Sequence, residues 1–134
     1  MDAQLRILRV IHAAMVAGTI LYVVIAQTVI RVEGKTVSPI IYFAVAVLAA
    51  VMVGLIFVAR QAWLSSAVEA LQMRPDDAAA SMRWRTAYIV IFALCEATVL
   101  YGFVLRVLGA TLAQVVPFYA AGILLLLLFS PRKP

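Results

Sequence analysis

Thr86–Leu105, TAYIVIFALCEATVLYGFVL, decides how this chain is read: twenty residues with a single charged side chain among them, Glu96. As a helix this stretch is about 30 Å long, the thickness of a bilayer's hydrocarbon core. Glu96 then falls near the midplane. A carboxylate there costs roughly 2.5–3.5 kcal/mol on insertion scales, and such residues face a bundle interior or a water path.

The rest of the chain repeats the theme. Its 134 residues are 66% hydrophobic and 13% charged, with a mean hydropathy of +1.10. Soluble domains average about 45–50% apolar and about 25% charged. The expected fold class is therefore all-α: a polytopic membrane protein of four helices in one domain over residues 1–134. The spans are expected at about 5–30, 40–59, 85–108 and 111–129. Ser38-Pro39 opens the second as N-cap and first helical residue. Pro117 either kinks the fourth or marks its true start.

With four spans, the N-terminus, the central loop and the C-terminus share one side. That side carries Arg6, Arg9, Arg60, Arg74, Arg83, Arg85, Arg132 and Lys133, against Arg31, Lys35 and Arg106 opposite. The asymmetry places both termini in the cytoplasm, with a bacterial inner membrane as the expected location. It also accounts for the net charge of +5, which suits anionic headgroups. No soluble basic surface with stacking aromatics exists, so nucleic acid is excluded as a partner.

Between the second and third spans, RQAWLSSAVEALQM is helix-permissive, with Trp63, Leu64, Ala67, Val68 and Leu71 at helical spacing. Arg74-Pro75 breaks it, and Asp76 or Asp77 can cap a helix running into the third span. The expectation is a cytoplasmic helical hairpin over 60–84; an interfacial amphipathic segment followed by a short loop is the alternative.

A weak internal repeat lays Ala17–Val24 over Glu96–Phe103, with Thr19/Thr98, Leu21/Leu100 and Tyr22/Tyr101 identical and Arg6/Arg85 upstream. Two duplicated hairpins related by an axis along the membrane normal produce such a pattern. So does composition alone. Under the repeat, Ala17 stands where Glu96 does.

Two stretches, R74-P75-D76-D77-A78-A79-A80 and A93-L94-C95-E96-A97-T98-V99-L100-Y101-G102-F103-V104, resemble the rotor-ring proteolipid, subunit c, of F-type and vacuolar-type ATP synthases. In that family a polar Arg/Pro/acid turn links two membrane helices, and the second carries an Ala-Leu-x-Glu-Ala run followed by Tyr-Gly. The resemblance covers about Ala44–Leu108. It implies that Glu96 is the ion-carrying carboxylate and Pro75 the turn proline. The chain departs from the family in three ways. Ala44, Ala46, Ala49, Ala50 and Gly54 stand where a glycine-rich face is usual, the hairpin is longer, and two further spans flank it. In the four-span vacuolar-type proteolipids the main carboxylate lies in the last helix of a hairpin, whereas the repeat puts Glu96 in a first helix.

Glu96 is the proton-binding candidate. Low dielectric disfavours its charged form, and a protonated carboxyl can donate a hydrogen bond and cross lipid; the alternative is polar glue between helices. Tyr101 and Tyr22 either donate hydroxyl hydrogen bonds or pack as aromatics. Thr98, like Thr19, either supports the site or bonds its own helix. His12, expected about 6 Å nearer the cytoplasm than Glu96, is a proton relay, a ligand to a pigment or haem held by another subunit, or structural. Arg106 and Gln27 share a repeat position near the outer surface, where Arg106 is expected to snorkel.

Cys95 is the only cysteine and His12 the only histidine, so no disulfide or zinc site arises. The sequence calls for no metal or cofactor and no independent enzyme activity. Two functions stay open. One is a proteolipid whose Glu96 binds a proton within a larger complex. The other is a non-catalytic accessory subunit of a respiratory or photosynthetic complex. Partners in either case are the lipid bilayer and other membrane subunits or copies of the chain.

Overall fold

The computed structural model describes residues 2–30 and 35–134, all helix, turn and coil. Arg31, counted above with the outer loop, lies outside the described residues. Among the described residues five α-helices follow in order: α1 Asp2–Thr28, α2 Pro39–Ala59, α3 Ser65–Met73, α4 Ala78–Val107 and α5 Leu112–Leu128. Three helical stretches among the described residues are long and apolar enough to cross a membrane: Asp2–Thr28, Pro39–Met73 and Ala78–Val107. The protein is thus a multi-pass membrane protein by length and composition. The apolar helix Leu112–Leu128 is shorter, at 17 residues.

Local chemistry fixes most helix ends. Pro39 supplies the first residue of α2, its ring already at a helical φ. Asp77 caps α4, its carboxylate accepting from the backbone N–H groups of Ala79 and Ala80 at 3.0 Å each. Thr111 opens α5 with a reciprocal capping box to Gln114. The α4–α5 turn is a Schellman motif, with Ala110 N–H bonded to Leu105 and Gly109 N–H to Arg106. Gly109 sits at φ +112°, and a Cβ there would also meet Lys35. Pro117 is neither a helix start nor a terminator: α5 begins five residues before it and runs through.

Between α2 and α3 the helix widens into a π turn at Arg60–Leu64, closed by Ser65 N–H to the Arg60 carbonyl. α2, the π turn and α3 therefore form one long rod, which reverses at Arg74–Asp77 into α4. The rod's end is not isolated. Leu71 and Pro75 border a surface hollow shared with Asp2, Lys133 and Pro134, and Ser81 donates to Gln4. The chain ends meet there, Asp2 and Lys133 pairing at 3.4 Å; both are well exposed, so the pair adds little stability.

α4 is the hub. It packs against α5, α2, α1 and α3, and α1 also packs against α5. Trp84, Ile91, Phe92, Cys95, Val99 and Leu105 on it are completely buried. α1 runs parallel to α4, as the contacts Gln4–Ser81, His12–Phe92 and Tyr22–Phe103 show. α1 and α2 share no extensive packing of their own, unlike α4 and α5. Hairpins related by a two-fold axis would pack alike, so the sequence repeat has no counterpart in helix packing.

Candidate functional site

Phe92, Glu96 and Phe103 fall on one stripe of α4, within about 40° of one another at 100° per residue. That stripe faces α1. The Phe92 ring lies 5.0 Å from the His12 ring and the Phe103 ring 6.2 Å from that of Tyr22. Glu96 sits between these two contacts, partly exposed. No hydrogen bond or ion pair among the described residues involves it. The sealed polar atoms without partners belong to Gln27, Trp84, Arg106 and Tyr119. The oxygens of Glu96 are not among them, so its carboxyl reaches the bundle surface. Among the described residues Glu96 bonds no other helix.

The other candidates do not gather around it. His12 is about 6 Å of helix rise below Glu96, level with Phe92. Its Nε2–H donates to the Leu126 carbonyl at 2.6 Å, one of the last-turn carbonyls that α5 cannot satisfy itself. The ring thus caps α5 from a neighbouring helix, and its contact to the Glu96 stripe is stacking on Phe92. Thr98 lies about 160° around α4 from Glu96. Its hydroxyl donates to Leu94 at 3.0 Å, as Thr19 donates to Val16 at 2.8 Å. Both threonines are buried. Tyr101 packs with the apolar cluster toward the far end of the bundle, and neither tyrosine hydroxyl has a hydrogen-bond partner among the described residues.

A second polar group is assembled by the fold. Arg106 donates from Nη1 to the Ala110 carbonyl at 3.0 Å, while its Nε is sealed from solvent. It therefore folds back onto the α4–α5 turn, where a snorkelling side chain was expected. The Gln27 and Arg106 side chains both lie close to Tyr119 of α5, whose hydroxyl is sealed from solvent and has no well-formed hydrogen bond among the described residues. Tyr119 gave no signal in the sequence, because only packing brings Gln27, Arg106 and Tyr119 together. Among the described residues no group of His, Cys, Asp and Glu side chains is placed to hold a metal. Cys95 is fully buried.

Comparison with protein-family models, curated proteins and solved structures gives no match.

Proposed function

We propose that this chain is a small proteolipid-like subunit of a larger membrane assembly, with four membrane helices and both ends in the cytoplasm. In this reading Glu96 binds a proton reversibly where the α1–α4 face meets another membrane chain. One observation carries the proposal: Glu96 reaches the surface of an apolar helix with no partner among the described residues. A bare ionised carboxylate facing lipid is costly. Protonation removes that cost, and so does a donor from a neighbouring chain. A group that alternates between these two states is a proton carrier.

Further support comes from the meeting of Asp2 and Lys133, which suits an even number of crossings. At about 25 Å of rise, α5 is at the short end of spanning lengths. The resemblance to rotor-ring proteolipids around Pro75 and Glu96 agrees with the same role. The accessory-subunit reading keeps one specific support. α2, which corresponds to the glycine-rich partner helix of that family, has its only glycine, Gly54, in open space.

A hydrophobic carbodiimide, to whose central carbon a protonated carboxyl adds as its proton passes to the nitrogen, tests the site in native membranes. Labelling at Glu96 that falls as pH rises is expected, together with loss of labelling in Glu96→Gln. No labelling at any pH that keeps the protein folded would overturn the proton-binding role. Copy number then separates the two assemblies: many symmetric copies in a particle image mark a ring, and one copy beside unrelated subunits marks an accessory chain.

A further inference from the structure

α2 and α5 are joined by side chains at two places and are open between them. At one end the Tyr42 hydroxyl donates to the Gln114 carbonyl at 3.0 Å, and the Tyr42 ring lies 6.0 Å from that of Phe118. At the other, Phe57 stacks edge-on to Phe129 at 6.0 Å. Arg60 places its guanidinium 5.0 Å from the centre of the same Phe129 ring. Between these joints lies an apolar groove of about 280 Å³. Ala46, Ala49, Ala50 and Val53 form its α2 wall, and Pro117 and Ala121 its α5 wall. The alanines leave the space; larger side chains would close it.

Beyond the Phe57–Phe129 joint the same seam opens into a smaller pocket of about 160 Å³, bordered by Arg60, Ser130 and Arg132. Among the described residues neither guanidinium donates to an acceptor or pairs with an acid. The pocket's frame is fixed from both sides. The Arg132 backbone N–H donates to the Tyr88 hydroxyl at 3.3 Å, and the π turn that begins at Arg60 anchors the α2 side. Two arginines without an acid partner among the described residues, with Ser130 beside them, suit a phosphate oxygen cluster.

The spacing joins the two parts. From Arg60 to the groove at Val53–Ala46 is about 10–21 Å of helix rise, which brackets the about 15 Å depth of one leaflet's hydrocarbon. We infer that the α2–α5 seam holds an anionic diacyl phospholipid, its phosphate between Arg60 and Arg132 and one acyl chain in the alanine-walled groove. The polar end is complementary to the headgroup in charge, and the groove to the chain in polarity and depth. The inference does not depend on the role of Glu96.

Native mass spectrometry of the detergent-purified full chain tests it, with phosphatidylglycerol, phosphatidylcholine or inorganic phosphate added. Preferential retention of one phosphatidylglycerol, undisturbed by excess inorganic phosphate, is expected. Arg60→Gln with Arg132→Gln should weaken that retention about thirtyfold, since each basic residue at a lipid surface is worth about a factor of five. Arg6→Gln with Arg9→Gln removes the same charge from α1 and should leave the preference intact. Ala50→Phe, which fills the groove and keeps both arginines, should reduce retention of long-chain but not short-chain phosphatidylglycerol. It carries the test if the double arginine variant does not fold. Equal retention of the neutral lipid, displacement by inorganic phosphate, equal losses from the two arginine pairs, or an Ala50→Phe variant that binds long chains normally would each overturn the proposal.

Discussion

The α4–α5 pair and the α1–α2 pair are built from equally apolar helices, yet they pack in opposite ways. In the first, glycines are notches. A Cβ on Gly122 would lie against Val99 and 2.8 Å from the Cys95 carbonyl oxygen, and one on Gly102 would lie 2.8 Å from the Tyr119 ring. In the second pair, Gly18 and Gly54 have nothing within 4 Å of such a Cβ. Lipid tails are as apolar as leucine, so hydrophobicity does not drive helices together in a bilayer; close backbone approach and interhelical hydrogen bonds do. Glycine content alone therefore does not tell which helices pair. α4 and α5 form the fixed spine, while α1 and α2 use one face on that spine and turn the other outward. Ile40, Phe43, Val47, Leu48, Val51 and Val58 of α2 are all exposed.

The largest effect should come from closing the tightest notch. Gly122→Leu is expected to separate α4 from α5 and abolish the folded bundle, because the opposing atoms include the Cys95 backbone, which cannot rotate away. Loss of cooperative unfolding in a detergent titration would show it; a normally folded variant would mean the helices do not approach this closely. Gly102→Ala should cost less than that larger change, about 1–3 kcal/mol: one added methyl meets the Tyr119 ring, which can shift, and the Phe118 Cβ, which moves only with its backbone. A cost equal to that of Gly54→Ala would erase the proposed contrast.

His12→Ala tests how α1 is held on the spine. The variant leaves the Leu126 carbonyl without its donor, and about 1 kcal/mol of stability should be lost, the usual scale for such bonds between membrane helices. His12→Phe, which keeps the stacking on Phe92 but not the donor, should lose nearly as much. If it behaves as wild type, packing and not the hydrogen bond secures α1. The smallest effect is expected at Gly54→Ala, with an unchanged or slightly raised midpoint. The site is open, and alanine is favoured over glycine in a helix by roughly 0.5–1 kcal/mol. Clear destabilisation would reveal a contact on that face.

The helix boundaries were legible because their signals are local: Pro39 at the start of α2, Arg74-Pro75 at the turn, and the Asp77 cap all act within a few residues. The choice between Asp76 and Asp77 was not, since both can cap and only backbone geometry selects one. Packing partners were illegible for a physical reason. Residues of similar polarity face α5, α1 and lipid, so no periodicity separates a spine helix from an outer one. Glu96 stood out as the lone charge in its run. That its carboxyl lies open beside α1 depends on the angle at which α1 meets α4, which no local pattern encodes. Gln27, Arg106 and Tyr119 come from three helices, and their meeting is wholly tertiary.

The π turn at Arg60–Leu64 sets the phase of everything beyond it. Five residues advance a regular α-helix by about 140° past a whole turn, so without the widened turn Leu64 would point well away from the line of Ala59. With it, Leu64, Ala67 and Leu71 stay buried on the same side as Ile56 and Ala59. The turn acts as a phase corrector between two rod segments whose apolar stripes would otherwise be out of step. Insertions and deletions in the rod are thus not equivalent to those in an ordinary connecting segment. One residue removed from 60–64 would straighten the rod into a uniform helix with the stripe of α3 still on α4, whereas one removed at 65–66, beyond the wide turn, would swing Ala67 and Leu71 by about 100° off it.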